Sequence, residues 1–229
     1  MQDSCITIWS MNENNLMAGL DDYRLLLSDP EQERAQRFHF GSDRDKYTLY
    51  HAALRIILAE VVGVAPNELS FSFADKGKPY LTDFPNIHFN LSHAGKVAVL
   101  AVADIPIGID VEWIKAKQDC LALARRFFHP HEADYLEKLS PNKLLNSFFG
   151  IWVAKEAFVK TSGAGVSFGL DKFCIQLTDA RPVVAWLDEE KGLEDKSWQM
   201  HYLPTAKAYL GCICYQGERN ELVFKEYSL

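Results

Sequence analysis

A chain of 229 residues with 48% hydrophobic and 24% charged residues has ordinary globular composition, which excludes extended disorder and leaves one large or two small domains open. A formal net charge of -7 argues against nucleic acid as a partner, because a phosphate backbone demands a basic footprint. The longest apolar run, Val97 to Ala103, is too short to cross a bilayer, and the start carries Asp3 without a basic or apolar leader. Five scattered cysteines with no CxxC pair read as reduced thiols, so the expectation is a cytoplasmic protein without a zinc site.

In chain order, ITIWS near the start predicts a strand, and Ser28 or Asp29 opens a helix over Pro30 to Phe40. Lys46 to Val62 predicts an amphipathic helix with Leu49, Ala53, Ile57 and Val61 on one stripe, closed by Gly63. Strand patterns follow at Leu69 to Phe73, Ile87 to Leu91 and Val97 to Val102, and again at IGIDVEWI after Pro106. A second strong helix spans Asn146 to Thr161.

The order of these elements repeats. Residues 35–47 align with residues 124–136 through Arg-Phe and a closing aromatic, and residues 88–102 align with residues 200–214 as strand, small turn, Lys and strand. The expected fold is therefore α/β, with two pseudo-symmetric halves, 1–104 and 105–229, and a ligand cleft between them. Two fused halves favour a monomer.

Three clusters carry chemistry. In GIDVE, strand alternation places Gly108, Asp110 and Glu112 on one face, with the two acids ~7 Å apart, near enough to share a cation. In the second helix, Glu156 offers a third oxygen ligand, Lys155 and Lys160 could meet phosphate charge, and Gly163 and Gly165 allow a sharp turn. FNLSHAGK ends a strand in a donor-rich turn containing Ser92 and His93, and GKP supplies Lys78. Taken singly, each also reads as an ordinary structural feature: a wet acidic face, an i,i+4 ion pair, a turn. His129 and His131 lack partner cysteines and read as structural.

Together and in this order, the motifs resemble the 4'-phosphopantetheinyl transferases of the surfactin-synthetase-activating (Sfp) type. Those show GKP, FN-SH, G-D-E, FF---E and W--KEA--K. Here they are Gly77-Lys78-Pro79, Phe89-Asn90 with Ser92-His93, Gly108-Asp110-Glu112, Phe127-Phe128 with Glu132, and Trp152-Lys155-Glu156-Ala157 with Lys160. The resemblance implies transfer of the phosphopantetheine arm of coenzyme A to a serine of an acyl or peptidyl carrier protein, with release of 3',5'-ADP. It implies that Asp110, Glu112 and Glu156 hold Mg2+ on the diphosphate. It assigns Arg34, Lys46, Lys78 and His93, with Ser92 beside it, to the phosphates and adenine end, and Lys155 and Lys160 to the diphosphate.

Glu156 is the expected base for the serine, with Lys160 stabilising the developing charge. Glu31 departs from a position often basic in that family, which shifts recognition of the 3'-phosphate toward Arg34, Lys46 and His93. Residues Lys115 to Arg126 with Phe127 are the expected carrier-docking patch. A hydrolase of the coenzyme A diphosphate and a silent binding module are the alternatives.

Overall fold

The computed structural model describes residues 5–163, 168–178, 181–187, 198–218 and 220–228. Eleven strands and seven α-helices are assigned among them. The N-terminal half runs β1 (Cys5–Asn12), α1 (Glu13–Leu16), α2 (Leu20–Leu26), α3 (Asp29–Gln36), α4 (Gly41–Val62), β2 (Phe71–Phe73), β3 (Pro79–Leu81), β4 (His88–Ala94) and β5 (Val97–Ala103). The chain continues through β6 (Ile107–Trp113), α5 (Cys120–Phe127), α6 (Pro130–Glu137), α7 (Pro141–Ser162), β7 (Phe173–Leu177), β8 (Pro182–Leu187), β9 (Trp198–Tyr202), β10 (Tyr209–Gln216) and β11 (Glu221–Tyr227).

One sheet has the order β11-β1-β5-β4 and another the order β6-β10-β9, with β2-β3 and β7-β8 as separate hairpins. Strand for strand, β1-β5-β4 and β6-β10-β9 are the same arrangement met twice. The exception is β11, which leaves the second half to pair in parallel with β1.

Three apolar layers follow from strand alternation. Ile6, Ile8, Val99 and Ala101 meet Ile107, Ile109, Val111 and Ile213 between the sheets. Met11, Leu100 and Val102 face Leu49, Ala53 and Ile57 of α4. Cys212 and Cys214 pack with Ala154, Ala157 and Phe158 of α7.

Helix α4 starts five residues earlier than its apolar pattern, and Val61, expected on the buried stripe, is 42% exposed. Helix α7 likewise begins at Pro141, where a fixed φ suits the first helical position. Both long helices end in a left-handed glycine, Gly63 and Gly163. Gly165 lies outside the described residues.

Candidate active site

The alternation of β6 turns Gly108, Asp110 and Glu112 toward α7, which returns Glu156 and Lys160. Asp110 is the buried centre, 4% exposed. Its Oδ1 accepts from Ser92 Oγ at 2.8 Å and from Lys160 Nζ at 2.6 Å, while its buried Oδ2 has no hydrogen-bond partner. Lys160 Nζ also reaches Ser92 Oγ at 3.1 Å and the Ile109 carbonyl at 3.3 Å.

Glu112 and Glu156 are half-buried at this seam. Desolvation, and after it the charge of Asp110, raises both carboxyls above their ordinary range, and Lys160 offsets part of this. Glu156 adds to the rise at Glu112. Three acids in one another's field, all hard oxygen donors, with one buried oxygen unpaired, suit a divalent cation of the Mg2+ kind. They are not gathered in advance: among the described residues no three His, Cys, Asp or Glu side chains are arranged to hold a metal. Instead the Lys160 ammonium lies against Asp110.

Why Asn and Ser stand two apart in FNLSH is visible at the seam between the sheets. Strand β6 is paired to β10 on one edge only, so its other edge would leave amides unpaired. Asn90 Oδ1 accepts from the Ile109 amide at 2.7 Å, and Ser92 Oγ accepts from the Val111 amide at 3.4 Å. Period-two spacing on β4 thus matches period-two amides on β6. Ser92, expected at the phosphates, is 7% exposed and positions Asp110. The two-residue spacing of Asn90 from Ser92 is the sequence signal for this role.

His93 projects to the opposite face of β4 and stands 5.5 Å from the Tyr50 ring. Its imidazole is held below the ordinary histidine range by desolvation, then by Lys160 and Lys46. The residue as a whole is exposed. Lys46 is 3.7 Å from Glu13 Oε2. Arg34 lies over the Tyr47 ring at 5.7 Å, and Tyr47 stacks on His51 at 3.8 Å. Desolvation lowers His51 to about 4. Arg34, Lys46 and these rings lie together on the N-terminal half.

Two expected phosphate contacts face elsewhere. Lys155, one residue from Glu156, is fully buried on the far side of α7. Its Nζ is 2.8 Å from Glu132 and donates to the carbonyls of Leu170 at 2.7 Å and Phe173 at 2.5 Å. Adjacent helix residues point about 100° apart, so KEA cannot aim both side chains at one ligand. Lys78 Nζ donates to the carbonyls of Ile107 at 2.9 Å and Lys160 at 2.6 Å.

Glu31 caps α3 through the Ser28 amide at 2.9 Å and pairs with Arg55 at 2.7 Å, so its departure from a basic residue has a structural use. His129 is the N-cap of α6, accepting from the His131 amide at 3.3 Å, a structural role as its sequence context indicated. In the expected docking patch, Lys115 lies 6.0 Å from the Trp113 ring and Arg126 lies 4.9 Å from the Phe127 ring. A cavity of about 360 Å³ opens elsewhere, among Ile8, Ser10, Val97, Leu203, Thr205 and Phe224. Its walls carry no acid of the seam, so the site is assigned on donor chemistry rather than concavity.

Comparison with known proteins agrees with this chemistry. Residues 106–214 match the family model for the 4'-phosphopantetheinyl transferase superfamily, and residues 15–104 match the N-terminal model of 4'-phosphopantetheinyl transferases. A 4'-phosphopantetheinyl transferase of Bacillus subtilis is 36% identical over 165 residues, 72% of this chain and 73% of that protein. The chain belongs to the 4'-phosphopantetheinyl transferase family. The transferase is also 35% identical to HetI of a Nostoc species, over 77% of this chain and 76% of that one. It is 32% identical to Sfp of Bacillus subtilis over 66% of each. Among the described residues of the transferase, no helix is long and apolar enough to cross a membrane.

Proposed function

We propose that the seam between β6 and α7 binds the diphosphate of coenzyme A with Mg2+, and that this transferase moves the phosphopantetheine arm to a serine of an acyl or peptidyl carrier protein. The observation that carries the reading is Asp110: a buried carboxylate held by Ser92 and Lys160 with one oxygen unpaired, in the field of Glu112 and Glu156. Asp110, through its unpaired Oδ2, together with Glu112 and Glu156, would hold the ion. Mg2+ keeps several sites for water and phosphate, so a few carboxylates suffice. Bound there, the ion would offset charge on the diphosphate and on the departing 3',5'-ADP.

The chain's own groups do the rest. Glu156, whose carboxyl is held above its ordinary range by burial and by Asp110, accepts the proton of the incoming serine hydroxyl, directly or through a water. Serine Oγ forms a bond to the phosphorus that bears the pantetheine, and the bond from that phosphorus to the bridging oxygen breaks, so that 3',5'-ADP leaves. Lys160, released from Asp110, stabilises charge on the diphosphate, a role whose loss typically costs on the order of 10²–10³ in rate. Arg34, Lys46 and His93 meet the 3'-phosphate end, and the patch around Lys115 to Phe127 receives the carrier.

The test is mass spectrometry of several apo-carrier proteins after incubation with this protein, coenzyme A and Mg2+. A gain of one phosphopantetheine arm on serine, abolished by EDTA, is the expected result. Release of free phosphopantetheine phosphate with unmodified carriers would instead identify a diphosphate hydrolase.

A further inference from the structure

Lys78 comes from the N-terminal half, in the turn between β2 and β3, yet its half-buried ammonium faces backbone rather than the acids. It donates to the carbonyl of Ile107, the first residue of β6, and to that of Lys160, in the last turn of α7. The last four carbonyls of a helix have no partner inside it, and a cation there also complements the helix dipole. The same turn is fastened twice more. Thr161 Oγ1 lies 2.8 Å from both the Ala157 and Cys214 carbonyls. Gly108 has no Cβ, which would overlap the Ala157 carbonyl and the Thr161 amide.

We infer that Lys78 is a positioning residue: its ammonium, bonded to backbone carbonyls rather than to a phosphate, clamps the C-terminal turn of α7 to the start of β6 and so sets how Glu156 and Lys160 stand over Asp110. This rests on the active-site reading above. Its geometry links the two halves: Lys78 is the N-terminal half's hold on the helix that carries Glu156, and Asn90 and Ser92 hold the strand that carries Asp110.

In Lys78→Met the apolar stem remains and the donors go. The expected result is a kcat at least tenfold lower, affinity for 3',5'-ADP by calorimetry within twofold of wild type, and at least tenfold weaker hydrogen-exchange protection in the last turn of α7. Lys78→Arg, which restores N–H donors, should recover part of kcat. Combined with Thr161→Val, the loss in kcat should fall short of the product of the two single losses, because both release one turn.

Affinity for 3',5'-ADP falling tenfold while protection holds would mean that Lys78 binds phosphate, and the clamp would be wrong. Unchanged kcat and protection would overturn it equally. Should Lys78→Met not fold, Lys78→Gln is measured in the same three ways against the same outcomes. If the wild-type protein transfers nothing, the functional reading fails by itself. Hydrogen exchange then decides the clamp alone: lost protection supports it, unchanged protection ends it.

Discussion

Helices α4 and α7 are each 22 residues long, each ends at a left-handed glycine, and each buries a cation at the same place. Arg55 of α4 pairs with Glu31, the third residue of α3, and donates to the carbonyls of Pro66 and Leu69. Lys155 of α7 pairs with Glu132, the third residue of α6, and donates to the carbonyls of Leu170 and Phe173. In both halves the carboxylate also closes a capping box at the start of its short helix. Each carbonyl pair comprises the first residue of a 3₁₀ turn and the residue that follows that turn. A feature repeated in both halves belongs to the scaffold, which is why Lys155 is read as a structural staple despite its place in a functional motif.

What differs between the halves is the site. Pairing Ile6 and Ile8 of β1 with Ile107 and Ile109 of β6 in the inter-sheet core sets Trp9 against Asp110 and Met11 against Glu112. The N-terminal half uses those positions for apolar packing on α4, in which Ile56 corresponds in position to Glu156 and the exposed Glu60 to Lys160. One half has an apolar core at the strand-helix seam where the other has three acids and a lysine. Arg34 and Lys46, the cations proposed for the other end of an anionic ligand, and His93, whose imidazole is held below its ordinary range, come from the half without the acids.

The sharpest way to break this comparison is at the acids. Asp110→Asn should lower kcat/KM on the order of 10³-fold with the melting temperature kept within a few degrees, because the amide still accepts from Ser92 and Lys160 but offers a weaker ligand oxygen. Glu156→Gln should abolish transfer while leaving the fold intact. Carrier modification followed by mass spectrometry reads both, and retained turnover in Glu156→Gln removes it from the mechanism.

The staples test the shared scaffold. Burial drives the Glu132 carboxyl up and the Lys155 ammonium down, and their mutual attraction offsets only part of either shift. Removing one partner strands a fully buried charge, so Lys155→Met should cost about 3–5 kcal/mol in urea unfolding. Arg55→Met should cost less, about 1.5–3 kcal/mol, because Glu31 is 15% exposed and can be hydrated. A reversed order would mean that the two pairs are not equivalent. Replacing Lys155 and Glu132 together by apolar residues should not restore stability, since the amides of His129 and Ile175 would lose their acceptor.

The two long helices, the acids on β6 and α7, and strands β1, β2, β4, β5 and β6 were legible because they carry periodic or spaced patterns, whereas β3, β7, β8 and β11 were not. The alternation of IGIDVEW placed the acids on one face, and Gly63 and Gly163 marked both helix ends. The register of the repeat was misread. Aligning residues 35–47 with residues 124–136 followed Arg-Phe, whereas the equivalent elements pair Glu31 with Glu132. Capping boxes built on Ser28 and on His129 share no residue type at the N-cap, so the match was hidden. Nor could local pattern show β11 joining β1, because a parallel pairing of the two ends of the chain leaves no mark in either strand. The directions of Lys78 and Lys155 were hidden for a related reason: a lysine in a motif reads the same whether it meets a phosphate or a carbonyl.

The smallest expected effect separates the two seams by pH. Desolvation and Asp110 hold the folded Glu112 carboxyl above its ordinary range, so between the ordinary value and the raised one the folded state binds more protons than the unfolded state. Stability is therefore fully present at acidic pH and is lost as pH rises through the folded value. Glu112→Gln removes that loss. It should raise the melting temperature by about 1–3 °C near pH 8 without divalent ions, and by nothing measurable near pH 4. Mg2+ should narrow or reverse the difference, because the ion stabilises only the protein that keeps its carboxylate. Substituting Met11, which holds the matching place on β1, should give a melting-temperature change that does not vary between pH 4 and pH 8, since the Met11 side chain carries no titratable group. A pH-independent gain at Glu112 would mean that its neighbours do not press on it as acids, and the contrast drawn between the two seams would fail at that residue.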